Sequence, residues 1–134
     1  MNLLLDSHIL IWTLNEDPRL SEKARKMILR PCNSIYYSSV SIWEISIKHK
    51  RHPEHIAFTG RELSQYCREA GFLPVYMRDK HVYALETITR SAGAPPHNDP
   101  FDRMLVAQAK AENMLFLTHD SLIPYYDEAC IIPV

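Results

Sequence analysis

Four acidic residues of this chain could together bind a metal ion: Asp6, Glu44, Asp102 and Asp120. Carboxylates brought to one point repel each other and raise each other's pKa, so such a group is costly unless a cation lies among them. Carboxylate oxygens without a cysteine pair suit hard divalent ions, and the expected cofactor is Mg²⁺ or Mn²⁺. These residue types therefore predict metal-assisted phosphoryl chemistry.

The places of these acids in the sequence predict that they meet. Asp6 directly follows a run of three leucines, and Asp120 lies just past the apolar run 114–117. Asp102 opens a strongly periodic helix, and Glu44 lies early in another helix among apolar neighbours. Ligands of parallel α/β sheets lie outside the carboxyl ends of the strands. Asp6 and Asp120 fall at such ends, which makes the cluster a geometric expectation as well as a chemical one.

Apolar periodicity and turn residues predict alternating strands and helices. The predicted strands are 2–5, 35–38, 72–77, 114–118 and a short one around Ile131 and Ile132. The predicted helices are 7–15, 22–30, 42–50, 61–70, 79–89, 101–112 and a short helical piece from Ser121. Pro74 favours an edge position for the third strand. The pattern predicts an α/β fold, a three-layer α/β/α arrangement with a central parallel sheet.

A carboxylate that caps a helix is less available to bind a metal, so the predicted caps matter for the site. Ser7 is a good cap for the first helix, which would leave Asp6 for other work. Asp99 can cap the helix 101–112, with Pro100 as its first residue. Asp102 then lies in the first turn, where the positive end of the helix favours acids. We assign the cap mainly to Asp99 and the metal mainly to Asp102, and the reverse or a shared role stays open.

Further residues near the acids are candidates for supporting roles. Thr118 could orient a carboxylate or bind metal-bound water, and His97 could contact phosphate or support a metal ligand from behind, as could Asp99. Lys48, Lys50 and Arg51 belong to a basic run at the end of the Glu44 helix. These three residues could stabilise the helix C-terminus or bind the phosphates of a nucleic acid.

Other residue types are predicted to be structural. The histidines and cysteines show no His-x₃-His or Cys-x₂-Cys spacing, which argues against zinc. Trp12 and Trp43 lie on apolar helix faces and are predicted to be core residues. The three cysteines, Cys32, Cys67 and Cys130, are predicted to be reduced and mostly buried.

Composition sets the broad class. The chain has 134 residues, of which 46% are hydrophobic and 23% charged, as in an ordinary soluble protein, and we expect a single domain over 1–134. Its net charge of -1 means that nucleic acid must be bound by a local patch rather than by the whole molecule. No apolar stretch approaches the roughly 18 residues of a membrane span, so a cytoplasmic protein is expected.

Four segments follow one another in order along the chain. They read Leu4-Leu5-Asp6-Ser7-His8, Ser41-Ile42-Trp43-Glu44-Ile45, Asp99-Pro100-Phe101-Asp102-Arg103-Met104-Leu105-Val106-Ala107-Gln108-Ala109 and Leu117-Thr118-His119-Asp120. Together they resemble the PIN domain family, most closely its toxin nucleases of VapC type. The resemblance extends over essentially the whole chain, and the third segment is its most specific part.

The resemblance implies a metal-dependent endoribonuclease that leaves a 5′-phosphate and a 3′-hydroxyl. Asp6, Glu44 and Asp102 would match the three core acids of the family, and Asp120 its more variable fourth acid. Asp99 belongs to a motif of a subgroup. The family also implies homodimers and a cognate antitoxin protein that inserts a segment into the active cleft.

Three other readings compete with the nuclease. The chain could be a PIN-like binding module that holds a partner without cutting, which a metal titration would distinguish. A phosphatase for small substrates would share the metal site. A signalling receiver domain has a similar size, but it needs an acid pair after the first strand and a lysine after a late strand. Only Asp6 follows the first strand, and no late strand ends in lysine.

Overall fold

Five parallel strands and six helices build the protein, as seen in a computed structural model that describes residues 1–134. The strands are β1 (Asn2–Leu5), β2 (Ser34–Ser38), β3 (Leu73–Val75), β4 (Leu115–Thr118) and β5 (Ile131–Pro133). The helices are α1 (Ser7–Leu14), α2 (Glu22–Leu29), α3 (Ser39–Arg51), α4 (Gly60–Glu69), α5 (Asp79–Leu85) and α6 (Pro100–Ala111), with a 3₁₀ turn at Ile123–Tyr125. Helices cover both faces of the sheet, which confirms the predicted three-layer α/β/α fold. No helix is both long and apolar enough to span a membrane.

The strand order β3-β2-β1-β4-β5 places the first strand at the centre of the sheet. Leu4 of β1 pairs in register with Tyr36 of β2 and with Phe116 of β4. The chain winds outward to β3 on one side and then crosses to β4 on the other. This reversal of winding, between β1 and β4, is the point at which α/β sheets open a ligand crevice. Pro74 lies in edge strand β3, as predicted.

Two hydrophobic clusters fill the spaces on either side of the sheet. Leu3 and Leu5 point into one cluster, with residues of α1, α2 and α4. Leu4 and Phe116 point into the other, with residues of α6. All three leucines of β1 are fully buried, as expected for a strand covered on both faces.

The structure corrects several local predictions. Helix α3 begins at Ser39 rather than after Ser41, because the Ser38 hydroxyl accepts a hydrogen bond from Val40 N at 2.9 Å and caps it. Helix α5 ends at Leu85 rather than at residue 89. Thr87 there donates its hydroxyl to the carbonyl of Ala84 at 2.6 Å, which closes the last turn.

Two single-residue predictions have opposite outcomes. Gly71 follows the C-cap of α4 with φ of +81°, as predicted for a glycine that ends a helix. Cys32 is exposed, whereas Cys67 is buried and Cys130 half-buried, so the prediction of mostly buried thiols is wrong for Cys32. Cys32 stands in the turn between α2 and β2, which packs against neither cluster.

Helix α3, which carries Glu44, is packed closely against α4. A Cβ atom added to Gly60 would lie 1.9 Å from Ser46 Oγ and 3.1 Å from the carbonyl oxygen of Ile42. A larger residue at position 60 would force the Ser46 side chain to turn away and would press on the Ile42 carbonyl, so glycine suits this close approach of α4 to α3. The contact fixes the outer side of α3, whose inner side faces the strand ends.

Candidate active site

Asp6 is the N-cap of α1 and lies at the carboxyl end of β1. Its Oδ1 accepts a hydrogen bond from Ser7 N at 2.7 Å, and its Oδ2 accepts one from Thr118 Oγ1 at 2.6 Å. The prediction that Ser7 caps this helix is therefore wrong. Burial raises the pKa of Asp6 to about 6, although these two hydrogen bonds lower it; the charges of Glu44 and Asp120 add to the rise.

Glu44 is 3% exposed and is held on both oxygens. Its Oε1 accepts a hydrogen bond from Ser7 Oγ at 2.7 Å, and its Oε2 lies 2.5 Å from Lys48 Nζ, one turn along α3. Ser7 Oγ also contacts Ser41 Oγ at 2.9 Å. The hydroxyl that the sequence suggested as a cap thus ties α1 to α3 and orients the Glu44 carboxylate.

Lys48 is half-buried and faces the acidic cluster. Partial burial lowers the pKa of its ammonium, but the hydrogen bond and charge of Glu44 and the charges of Asp99 and Asp102 outweigh burial and raise it. Its closest partner here is a carboxylate, so the predicted contact with RNA phosphate remains a prediction.

The N-terminal turn of α6 brings in the next two acids. Asp99 caps this helix, as predicted: its Oδ1 accepts hydrogen bonds from Phe101 N at 2.9 Å and Asp102 N at 3.1 Å. Carboxylate oxygens of Glu44, Asp99 and Asp102 all lie within 4.8 Å of one another. Asp99 therefore combines the cap with a place in the acidic cluster.

Asp102 carries the largest electrostatic penalty of the group. Burial raises the pKa of its carboxyl to about 8, and the charges of Asp6, Asp99, Glu44 and Asp120 add to the effect. Three carboxylates at this separation, one of them held well above its usual pKa, match the oxygen ligands of a hard divalent ion. The residues present thus fit Mg²⁺ or Mn²⁺.

His97 supports Asp102 from behind. Its Nε2 lies 3.1 Å from Asp102 Oδ2, and its Nδ1 lies 2.7 Å from the hydroxyl of Tyr126. Burial lowers the pKa of His97. The charge of Asp120 raises this pKa and the charge of Arg90 lowers it, and the net shift is downward. A neutral ring can then accept the Tyr126 proton at Nδ1 and donate from Nε2 to Asp102. Arg90 lies over the Tyr126 ring, with its guanidinium carbon 4.6 Å from the centroid.

Asp120 is exposed at the end of β4 and caps the turn that follows. Its Oδ1 accepts hydrogen bonds from Leu122 N at 2.7 Å and Ile123 N at 3.2 Å. It also lines a small cleft of about 170 Å³ whose other residues are Asp6, His8, Trp12, Arg19 and His119. Neither Asp120 nor Asp6 belongs to the group of oxygens within 4.8 Å.

Lys50, Arg51 and Trp43 are exposed on α3. The prediction that Trp43 is a core residue is wrong, since 57% of it is exposed, whereas Trp12 is buried as predicted. The apolar neighbours of Trp43 in sequence pointed to the core, but the buried faces of α3 are taken by residues such as Glu44 and Ile45.

Sequence reasoning missed several residues of the site. Tyr126 and Arg90 lie outside the segments that carry the acids, and no spacing links them to His97. The bridging role of Ser7 and the pairing of Lys48 with Glu44 had weak signals: a serine directly after an acid, and an i,i+4 pair on a helix.

Comparisons with known proteins agree with this architecture. The model of the PIN domain family matches residues 3–128. The sequence has no match among curated proteins. Among solved structures, VapBC2 from Rickettsia felis, bound to a DNA fragment from its promoter, superposes with a TM-score of 0.60 at 16% identity, over 90% of this chain and 89% of that chain. VapBC-1 from nontypeable Haemophilus influenzae gives a TM-score of 0.56 at 16% identity, over 90% and 87%.

Proposed function

This chain belongs to the PIN domain family, and from that membership and its acidic cluster we propose that it is a metal-dependent endoribonuclease. The observation that carries the proposal is the approach of Glu44, Asp99 and Asp102 to within 4.8 Å at the crevice of the sheet. No arrangement of serine with histidine or cysteine with histidine near the cluster offers another nucleophile.

The proposed metal site comprises Asp6, Glu44, Asp102 and Asp120, with Asp99 within reach. Mg²⁺ or Mn²⁺ bound there would acidify a water molecule and offset the charge that develops on the scissile phosphate. Of these acids, Glu44 and Asp102 lie with Asp99 within 4.8 Å of one another, and the charges of Asp6 and Asp120 act on Asp102.

The surrounding residues position these carboxylates. Ser7 and Thr118 hold the carboxylates of Glu44 and Asp6 in fixed rotamers, so little reorganisation is needed when the site fills. His97 orients Asp102 in the same way. Lys48 holds the outer oxygen of Glu44, and in the filled site its ammonium is also available to a phosphate oxygen.

We further propose that the chain is the toxin of a toxin–antitoxin pair, a single cytoplasmic domain that forms a homodimer and is inhibited by a cognate antitoxin protein. The support is its fold similarity to two VapBC structures. Lys50 and Arg51, exposed at the end of α3, are the proposed phosphate contacts for RNA beside Lys48, since the net charge of -1 requires a local patch.

One observation favours a second candidate, a catalytically silent binding module. Both oxygens of Asp6 and both oxygens of Glu44 already accept hydrogen bonds within the protein. In such a module Lys48 would serve as the permanent counter-charge, and no ion would enter. Calorimetric titration with Mn²⁺ separates the two candidates, because only the nuclease binds the ion at the cluster.

The test of the nuclease is cleavage of a panel of tRNA, rRNA and synthetic RNA by the purified protein with Mn²⁺, Mg²⁺ or EDTA. We expect cleavage that needs the metal and is lost in Asp6→Asn, whose amide keeps one acceptor for the Ser7 cap. Circular dichroism checks that the variant is folded. Cleavage by Asp6→Asn at the wild-type rate would show that the assignment is wrong.

A further inference from the structure

Trp43 is the most exposed aromatic side chain beside the acidic cluster. It is 57% exposed although it lies between half-buried Ile42 and buried Glu44 on α3. Exposure of an indole to water costs hydrophobic stabilisation, since burial of apolar surface is worth about 25 cal/mol per Å². A smaller polar residue at this position would avoid that cost. The exposed tryptophan therefore suggests that its ring contacts something outside the chain.

The ring of Trp43 is held in place with a free face. It packs against Phe101 at a centroid distance of 4.9 Å and an interplanar angle of 78°. In an edge-to-face pair, either the indole offers its edge and keeps both faces clear of Phe101, or it offers one face and keeps the other. In both cases at least one face of the indole is clear of Phe101.

This aromatic pair flanks the proposed metal centre. Trp43 directly precedes Glu44, and Phe101 directly precedes Asp102. Glu44 and Asp102 are two of the three acids within 4.8 Å of one another. The contact between Trp43 and Phe101 and the approach of Glu44 to Asp102 thus join the same two helices one residue apart, so a nucleotide with its phosphate at these acids has the aromatic pair close by.

A cation lies on the same side of α3 as the indole. Lys50 follows Trp43 by seven residues, which is two helical turns, and it is exposed. A flat apolar ring beside an ammonium is the combination that binds single-stranded nucleic acid, where bases stack on aromatic rings and cations hold the backbone. The lysine favours a polyanion over an apolar protein partner, because burial of its charge against an apolar surface would be costly.

We propose that Trp43, braced by Phe101, stacks on a nucleobase of the RNA strand next to the scissile phosphate, while Lys50 contacts the backbone of the same strand. The inference rests on the proposed function and adds a substrate-positioning residue to it. Stacking is tolerant of sequence, because every base has a π-face. The ring thus holds a single-stranded segment in place and leaves choice of sequence to other contacts.

The experiment compares Trp43→Ala and Trp43→Phe with the wild type. Tyr83→Ala is the matched control, because Tyr83 is an equally exposed aromatic, 63%, on α5. Binding of a short single-stranded RNA is measured with Ca²⁺ in place of Mg²⁺, and cleavage kinetics are measured with Mg²⁺. In Trp12→Phe protein, where Trp43 is the only remaining tryptophan, its fluorescence reports stacking directly.

We expect Trp43→Ala to raise Kd and KM about 10-fold or more, with kcat less affected, and Trp43→Phe to restore most of the loss. RNA should quench the Trp43 fluorescence, and an abasic nucleotide at the stacking position should weaken binding to the wild type but not to Trp43→Ala. Tyr83→Ala should bind and cut as the wild type does.

Two outcomes would overturn the inference while the nuclease stands. One is unchanged KM and Kd in Trp43→Ala with active cleavage. The other is dissociation of an oligomer in Trp43→Ala, seen by analytical ultracentrifugation, which would assign the indole to a contact between two copies of the chain. If the wild type neither binds nor cuts any RNA, the proposed function and this inference both fail.

Discussion

Two buried polar regions of this molecule have opposite electrostatics. The first runs beneath α6: the Ser38 hydroxyl donates to Gln108, Gln108 Nε2 contacts His81 Nδ1 at 3.3 Å, and His81 Nε2 lies 2.8 Å from Glu112. Lys80 closes this chain on Glu112 at 2.9 Å. We call these five residues the His81 chain. The hydrogen bonds of Lys80 and His81 hold the pKa of Glu112 below its usual value.

The second region is the acidic cluster of Glu44, Asp99 and Asp102. Here one ammonium, that of Lys48, faces three carboxylates, and the pKa of Asp102 is raised to about 8. The His81 chain is complete within the protein, whereas the acidic cluster has more negative charge than the protein neutralises. The difference separates a polar network whose charges are balanced within the protein from one whose excess negative charge a bound cation could offset.

The largest expected effect comes from Asp102→Asn. Loss of a proposed metal ligand should cost several kcal/mol of transition-state stabilisation, or roughly a 1,000-fold loss of cleavage rate. The metal-free variant should at the same time melt at a higher temperature than the wild type at pH 8, because the most penalised carboxyl is gone. Single-turnover cleavage and thermal melting in EDTA measure the two effects.

The corresponding test of the His81 chain is His81→Ala. Removal of the imidazole leaves the buried Nε2 of Gln108 without its His81 acceptor and leaves Glu112 with Lys80 alone. We expect a loss of about 1–3 kcal/mol in the free energy of unfolding. Mn²⁺ affinity and cleavage per folded molecule should be unchanged. Urea denaturation and calorimetry check this, and a large loss of metal affinity in His81→Ala would end the distinction between the two regions.

The pH dependence of metal-free stability sharpens the contrast. Asp6 and Asp102 have folded pKa values of about 6 and about 8, above their unfolded values near 3.8. Between these pH values the folded protein binds more protons than the unfolded chain. The stability that Asp6 and Asp102 contribute is therefore full below pH ~4 and is lost as the pH rises towards ~8. Glu112, whose folded pKa is lowered, contributes stability above its unfolded pKa and loses it as the pH falls.

Melting curves in EDTA between pH 5 and pH 8 measure this effect. We expect the melting temperature to fall over that range in the wild type, to fall much less in Asp102→Asn, and to recover at pH 8 when Mg²⁺ is added. A wild-type melting temperature that rises towards pH 8 without metal would contradict the raised pKa of Asp102.

The smallest effect is expected for Asp120→Asn. The Asp120 side chain already caps the turn to Leu122 and Ile123 through one oxygen, and an asparagine oxygen can do the same. We expect stability to change by less than about 0.5 kcal/mol. The cleavage rate should fall by a smaller factor than in Asp102→Asn, as measured in the same assay.

Much of the fold follows from local signals in the sequence. The run of leucines predicted the strand that is β1, Pro74 favoured an edge position for the third strand, and Asp99 with Pro100 marked the start of α6. These features depend on residues a few positions apart. Helix ends were less accurate, because a hydroxyl one residue away, as at Ser38, decides where a helix begins.

The sequence predicted that acids meet at the strand ends of a parallel sheet, and two of the four predicted acids, Glu44 and Asp102, lie with Asp99 within 4.8 Å of one another. Some of the partners that orient them were not accessible from the sequence. The hydrogen bond between His97 and Tyr126 joins residues 29 apart, and no periodicity relates them. Trp43 shows the same limit, since its exposure depends on which face of α3 the rest of the fold covers.

The hydrogen bond between Thr118 and Asp6 spans 112 residues of sequence, and β4, which carries Thr118, is a direct neighbour of β1 in the sheet. At synthesis rates of about 5–20 residues per second, roughly 6–20 s separate the two halves of this contact on the ribosome. In a nascent chain, Asp6 therefore lacks its Thr118 partner until β4 has been made and has inserted beside β1. For the toxin proposed above, this delay would give the antitoxin time to reach the chain before its acids could bind a metal ion.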